Sequence, residues 1–147
     1  MTGDQRIPIL IAEDSEDNRF LLQAYCKGTA YEPTFAEDGE KAVAAFVAGS
    51  FEIVIMDMQM PAMDGLSATR VIRGLESDRG KKRTPILVLT ANVMPDDIAL
   101  AREAGCDIHL PKPISRKRFL SALEQWKPAL VAVDRTTPIE MQSVPEQ

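Results

Sequence analysis

The chain has 147 residues, of which 45% are hydrophobic and 27% charged; both values are near globular averages and exclude disorder throughout. A single domain of this length buries roughly 70% of the surface its unfolded chain exposes, so no disulfide or metal staple is required. The formal charge of -5, from 17 basic and 22 acidic side chains, argues against a dominant nucleic-acid or anionic-membrane surface.

The first apolar run, Ile7–Ala12, contains Pro8 and passes straight into Glu13 and Asp14. It is too short and too abruptly acidic for a signal segment or a membrane span, so a cytoplasmic chain is expected. It reads instead as a first buried strand. Ser15 and the acidic residues after it open a helix whose apolar stripe is Phe20, Leu21, Ala24 and Tyr25. Pro33–Ala36 is a second strand, short enough for a sheet edge. Val43, Phe46 and Val47 mark the second helix, closed by Gly49. Phe51–Met56 is the third strand, and Ala68, Ile72 and Leu75 mark the third helix. Pro85–Leu89 is the fourth strand. Pro95-Asp96-Asp97 then begins a helix with Ile98 and Ala101 inward and Gly105 at its end. Asp107–Leu110 is the fifth strand. The last helix starts near Ser115, turns Phe119, Leu123 and Trp126 to the core, and stops at Pro128.

Residues 128–147 carry three of the ten prolines and no periodic stripe, so a domain over 6–127 with a C-terminal tail or linker over 128–147 is expected. Cys26 and Cys106 are too few for a disulfide framework and are expected as buried free thiols. The runs Lys81-Lys82-Arg83 and Arg116-Lys117-Arg118 read as solvated faces, and Met56, Met58, Met60 and Met63 as core filling.

Five strands alternating with five helices predict an α/β fold, a doubly wound parallel sheet covered on both faces. In such sheets ligands collect beyond the C-terminal strand ends, where strand order reverses. The first strand exits into Glu13-Asp14, the third ends on Asp57, the fourth on Thr90, and the fifth runs into Lys112-Pro113. Three converging carboxylates repel one another, and a hard cation relieves that; Mg²⁺ suits a few carboxylates plus waters. A carboxylate beside Mg²⁺ can attack a phosphoryl group and hold it as an aspartyl phosphate, with the Lys112 ammonium neutralising charge and the Thr90 hydroxyl bonding a phosphoryl oxygen.

The segments Ile9-Leu-Ile-Ala-Glu-Asp14, Ile53-Val-Ile-Met-Asp-Met-Gln-Met-Pro-Ala-Met-Asp-Gly65, Pro85-Ile-Leu-Val-Leu-Thr-Ala91 and Leu110-Pro-Lys-Pro-Ile114 resemble the response-regulator receiver domain of two-component signalling, over about residues 6 to 127. The wording around Met56–Pro61 and Leu89–Met94 is similar to receivers of hybrid sensor kinases and phosphorelays. The resemblance implies a flavodoxin-like five-stranded sheet in the order 2-1-3-4-5. It implies Asp57 as phosphoacceptor, Asp14 as a direct Mg²⁺ ligand, Glu13 acting through water, and the backbone carbonyl of Gln59 as a further contribution. Thr90 matches the switch hydroxyl and Lys112 the lysine that pairs with the acids. Pro113 matches a proline after a cis peptide bond, and Pro61 and Gly65 match the turn beyond the acceptor. At the aromatic switch position, three residues before the lysine, this chain has His109, a smaller and polar ring. Gln59 and Asn92 flank the expected path of the hydrolytic water and are candidates for tuning the phosphoryl lifetime.

The implied function is a phosphoacceptor, not an enzyme: it takes a phosphoryl group from a histidine kinase or histidine phosphotransfer protein, switches, and loses the group slowly to water. The 20 residues after 127 are too few for a DNA-binding output domain, so a downstream effector protein or a missing domain is the expected output, without direct nucleic-acid or membrane contact. Three other functions fit parts of the pattern. An aspartyl-phosphate phosphatase wants a second Asp two residues after the first, where Gln59 stands. A flavin mononucleotide binder wants a Ser/Thr/Gly phosphate loop where Glu13-Asp14 stand. A receiver-like interaction module that is never phosphorylated would not need the intact acid set.

Overall fold

The computed structural model describes residues 6–60, 62–80, 82–91 and 94–127; the expectations for Pro61, Asn92, Pro128 and the tail lie outside them. Strands and helices alternate as β1 (Ile7–Ala12), α1 (Glu16–Cys26), β2 (Tyr31–Ala36), α2 (Gly39–Ala48), β3 (Ile53–Asp57), α3 (Gly65–Arg79), β4 (Ile86–Thr90), α4 (Pro95–Ala104), β5 (Ile108–Pro111) and α5 (Arg116–Trp126). The five strands are parallel and hydrogen-bond in the order β2-β1-β3-β4-β5. That is the doubly wound sheet anticipated from the alternation.

The near-continuous apolar runs follow from burial on both faces. Ile9, Ile11, Ile53, Ile55, Leu87 and Leu89 face one core, closed by Leu22 and Cys26 of α1 and by Phe119, Leu123 and Trp126 of α5. Their neighbours Leu10, Val54, Met56, Ile86 and Val88 face the other, closed by Phe46, Ala68, Ile72 and Ala101 of α2, α3 and α4. Local signals set the helix ends. Ser15 and Ser115 accept from the backbone N–H of Asn18 and Arg118 at 3.2 and 3.1 Å. Gly105 ends α4 in the left-handed region at φ 112°, where a side chain would be strained.

Several element expectations need correction. β2 begins at Tyr31 rather than Pro33, with Tyr31 and Glu32 paired to Ile7 and Pro8; Pro33 is tolerated because β2 is an edge strand. β3, β4 and β5 are displaced one or two residues from their predicted bounds. On α1, Phe20, Leu21 and Ala24 are exposed, and the inward face is Leu22, Tyr25 and Cys26. On α2, Ala42 and Phe46 are buried while Val47 is exposed.

On α3, Ala68 and Ile72 are buried as expected, but in the last turns the buried position is Glu76, with Leu75 only half-buried. Glu76 belongs to a polar cluster at the N-terminal end of the sheet. It accepts from Arg73 Nη1 and from the Thr84 N–H, both at 2.8 Å. Arg73 also reaches Asp107 Oδ2 at 2.9 Å and the Gly105 carbonyl at 3.0 Å. Asp107 in turn accepts from the Ile86 N–H at 2.8 Å and from Arg83 Nη2 at 2.7 Å. Arg83 is therefore part of this fastener and not only a solvated loop residue. The cysteines are free and buried, as expected.

Candidate functional site

The reversal of strand order places β1 and β3 side by side at the sheet centre, with α1 leaving to one face and α3 to the other. The crevice this creates is a cleft of about 360 Å³ lined by Glu13, Asp14, Ser15, Asn18, Asp57, Met58, Gln59, Thr90, Ala91 and Lys112. Six of the residues singled out in the sequence, Glu13, Asp14, Asp57, Gln59, Thr90 and Lys112, meet there. Thr90 is buried at the end of β4, and its carbonyl accepts from the Lys112 backbone N–H at 2.9 Å. Pro113 lines the adjoining groove and follows a cis Lys112–Pro113 bond, as the resemblance implied. His109 stands apart from the cleft: it is half-buried on β5, and burial together with the charges of Arg102 and Arg118 holds its imidazole below the usual histidine range.

The acid cluster is tight. Glu13, Asp14 and Asp57 each present a carboxylate oxygen within 4.8 Å of the others. Lys112 Nζ lies 3.2 Å from Asp57 Oδ2 and 3.5 Å from Glu13 Oε1. Asp57 Oδ1 accepts from the Gln59 N–H at 3.2 Å. Burial pushes the Asp57 carboxyl up to about 6, the neighbouring Glu13 charge adds to the rise, and Lys112 opposes it. The start of α3 lies directly on Asp57: a Cβ at Gly65 would stand 2.1 Å from the Asp57 carbonyl oxygen. Only glycine allows that approach.

Two residues that the sequence did not single out hold Glu13. Asn18 Nδ2 donates to Glu13 Oε2 at 3.4 Å, and Arg19 Nη1 donates to the Glu13 carbonyl at 2.9 Å. The sole signal for them was their place in the first turn of α1, one turn after the acidic pair.

The residues suit a divalent cation. Glu13 Oε1 is buried and meets no hydrogen-bond donor among the described residues, although Lys112 is nearby. Its unused acceptor capacity and two further carboxylates, buried Asp57 and exposed Asp14, make a hard, oxygen-only donor set.

One consequence is measurable on metal-free protein. An aspartate raised from its ordinary value to about 6 stabilises the folded state fully only below about pH 4, and this contribution is lost as pH rises through 6. At pH 7 the ionised group then costs the fold about 3 kcal/mol. Asp57→Asn should therefore be more stable than the wild type by about 2–3 kcal/mol at pH 7 in chelator. At pH 4 the two should be nearly equal. Urea unfolding at the two pH values checks this, and an equal difference at both would refute it.

The comparisons agree with this geometry. Residues 9–124 match the family model described as the response regulator receiver domain. The chain is 35% identical over 118 residues to the sensor protein GacS of Pseudomonas syringae pv. syringae, covering 80% of this chain and 13% of that protein. It is 38% identical over 130 residues to hybrid signal transduction histidine kinase G of Dictyostelium discoideum, covering 87% of this chain and 4% of that one. The chain thus spans a small fraction of these curated relatives.

Among solved structures, the receiver domain of Pseudomonas aeruginosa PAO1 sensor histidine kinase PA1611, with a magnesium ion coordinated in its active-site cleft, is similar at TM-score 0.74 and 34% identity. That match covers 82% of this chain and 97% of that one. The receiver domain of Saccharomyces cerevisiae Ssk1, crystallised with the histidine phosphotransfer protein Ypd1, gives TM-score 0.79 at 26% identity, covering 84% of this chain and 90% of the other. Fold order, strand-end acids and sequence matches agree, and the chain belongs to the response regulator receiver domain family of two-component phosphorelay signalling.

Proposed function

We propose that this domain, over residues 6–127, is a cytoplasmic phosphoacceptor that takes a phosphoryl group from a phosphohistidine onto Asp57 and later loses it to water. The observation that carries this reading is the buried Asp57 carboxylate at the end of β3, with an ammonium 3.2 Å away and two more carboxylates beside it. In the transfer, an Asp57 oxygen forms a bond to phosphorus while the phosphorus–nitrogen bond breaks. The imidazole keeps the electron pair and takes a proton.

Lys112 neutralises charge on the transferring group, and the Thr90 hydroxyl, at the neighbouring strand end, donates to a phosphoryl oxygen. Asp14, Asp57 and the Gln59 carbonyl would hold Mg²⁺, with Glu13 acting through water. When bound, the metal supplies electrostatic stabilisation of the phosphoryl oxygens. The added charge of about -1.5 to -2 would redirect Thr90 and Lys112, and the half-buried His109 on β5 is the ring placed to follow. Gln59 and Asn92 would tune the lifetime.

A histidine phosphotransfer protein or histidine kinase is the donor this reading calls for. Phe20 is 75% exposed and Leu21 42% exposed on α1. Leu21 lines a groove of about 330 Å³ that continues from the site along Leu22, Leu89, Pro113 and Ile114. An apolar surface beside a charged reaction centre suits a protein donor, whose docking orients the phosphohistidine. The output is a downstream effector protein or another domain.

The test is incubation with acetyl phosphate and Mg²⁺, read by intact mass. The wild type should gain one phosphoryl group and Asp57→Asn none. A group retained by the variant, or none on the wild type, overturns the proposal.

A further inference from the structure

Helix α1 is fastened to the reaction site near both of its ends. Near its start, Asn18 and Arg19 hold Glu13. One residue before its end, the Tyr25 hydroxyl donates to the Ile114 carbonyl at 2.8 Å, across 89 residues of sequence. Ile114 is two residues beyond Lys112. The segment carrying the lysine is thus gripped from two sides: the Lys112 N–H is tied to the Thr90 carbonyl at 2.9 Å, and the Ile114 carbonyl is tied to Tyr25. The Tyr25 ring is itself seated against Phe119, centroid to centroid 5.8 Å at 47°, so its hydroxyl has little freedom to follow a moving loop.

From this arrangement we infer that Tyr25 is a positioning residue for phosphoryl transfer, acting through the Ile114 carbonyl to set where the Lys112 ammonium stands relative to Asp57. The lysine side chain has four rotatable methylenes and is one-quarter exposed, so the two carboxylates alone do not fix its place. The backbone from which it springs must do so. Beside that backbone lies the groove lined by Lys112, Pro113 and Ile114, which leaves room for the loop to shift once the hydroxyl is gone. Small displacements of a charged group are costly in rate, because electrostatic stabilisation depends on prior placement.

The inference rests on Asp57 being the phosphoacceptor. Tyr25→Phe removes the hydroxyl and keeps the ring against Phe119. Phosphorylation by acetyl phosphate with Mg²⁺, followed by intact mass over time, should slow about three- to tenfold, with the urea midpoint nearly unchanged. The same exchange made in a Lys112→Ala background should change the rate by less than about twofold, since there is no ammonium left to position. A Tyr25→Phe rate equal to the wild type overturns the inference, as does an equal slowing in both backgrounds, the signature of a merely structural tyrosine. A wild type that takes up no phosphoryl group overturns the proposed function and this inference with it.

Discussion

Asp107→Ala is expected to lower the unfolding free energy by about 3–5 kcal/mol, the range for breaking a buried ion pair from one side. The side chain is 7% exposed and accepts from the Ile86 N–H, from Arg73 and from Arg83. Its removal leaves Arg73, itself 14% exposed, with a reduced set of partners and strips a bond from the first residue of β4. In a domain of this size the loss corresponds to a fall in melting temperature of roughly 10–15 °C. Phosphorylation of the fraction that stays folded should be little changed, because Asp107 precedes β5 whereas the proposed reaction site follows it. Urea unfolding gives the first quantity and intact mass the second. A loss under about 1 kcal/mol would contradict the reading of this cluster as a fastener.

Lys112→Ala is expected to slow phosphorylation by acetyl phosphate by about 10²–10³-fold, the usual cost of removing one preorganised donor from a developing negative charge. The ammonium is 3.2 Å from Asp57 and 3.5 Å from Glu13, and so reaches both buried carboxylates. Its loss leaves those carboxylates to repel each other without relief, so the variant should depend more steeply on Mg²⁺ than the wild type. Time courses at several Mg²⁺ concentrations read both effects. A slowing of less than threefold would remove Lys112 from the proposed chemistry.

The strand-end chemistry was legible in the sequence because it needs no knowledge of side-chain packing. Once five buried runs alternate with helices, the residue leaving each run is fixed in space by the sheet itself. Glu13, Asp14, Asp57, Thr90 and Lys112 converge for that reason. Helix faces were less legible. In α1 two apolar sets are interleaved, and periodicity alone did not say that Leu22, Tyr25 and Cys26 would turn inward while Phe20 and Leu21 faced water.

The missed residues share a physical cause. Asp107 meets Arg73 across 34 residues and Tyr25 meets Ile114 across 89; neither pairing leaves a local pattern. Glu76 leaves no signal because a charged residue on an apolar helix face reads as solvated, unless its partners Arg73 and the Thr84 N–H are known.

The two carboxylate groups of this fold are opposites in one respect. At the entrance of β4 and β5, every oxygen of Asp107 and Glu76 is already engaged. At the exit of β1 and β3, Glu13 Oε1 is buried with acceptor capacity to spare. The sheet therefore has a saturated pole and an unsaturated one. Cohesion is concentrated at the saturated pole, while the other keeps unused acceptor capacity for whatever the cleft binds.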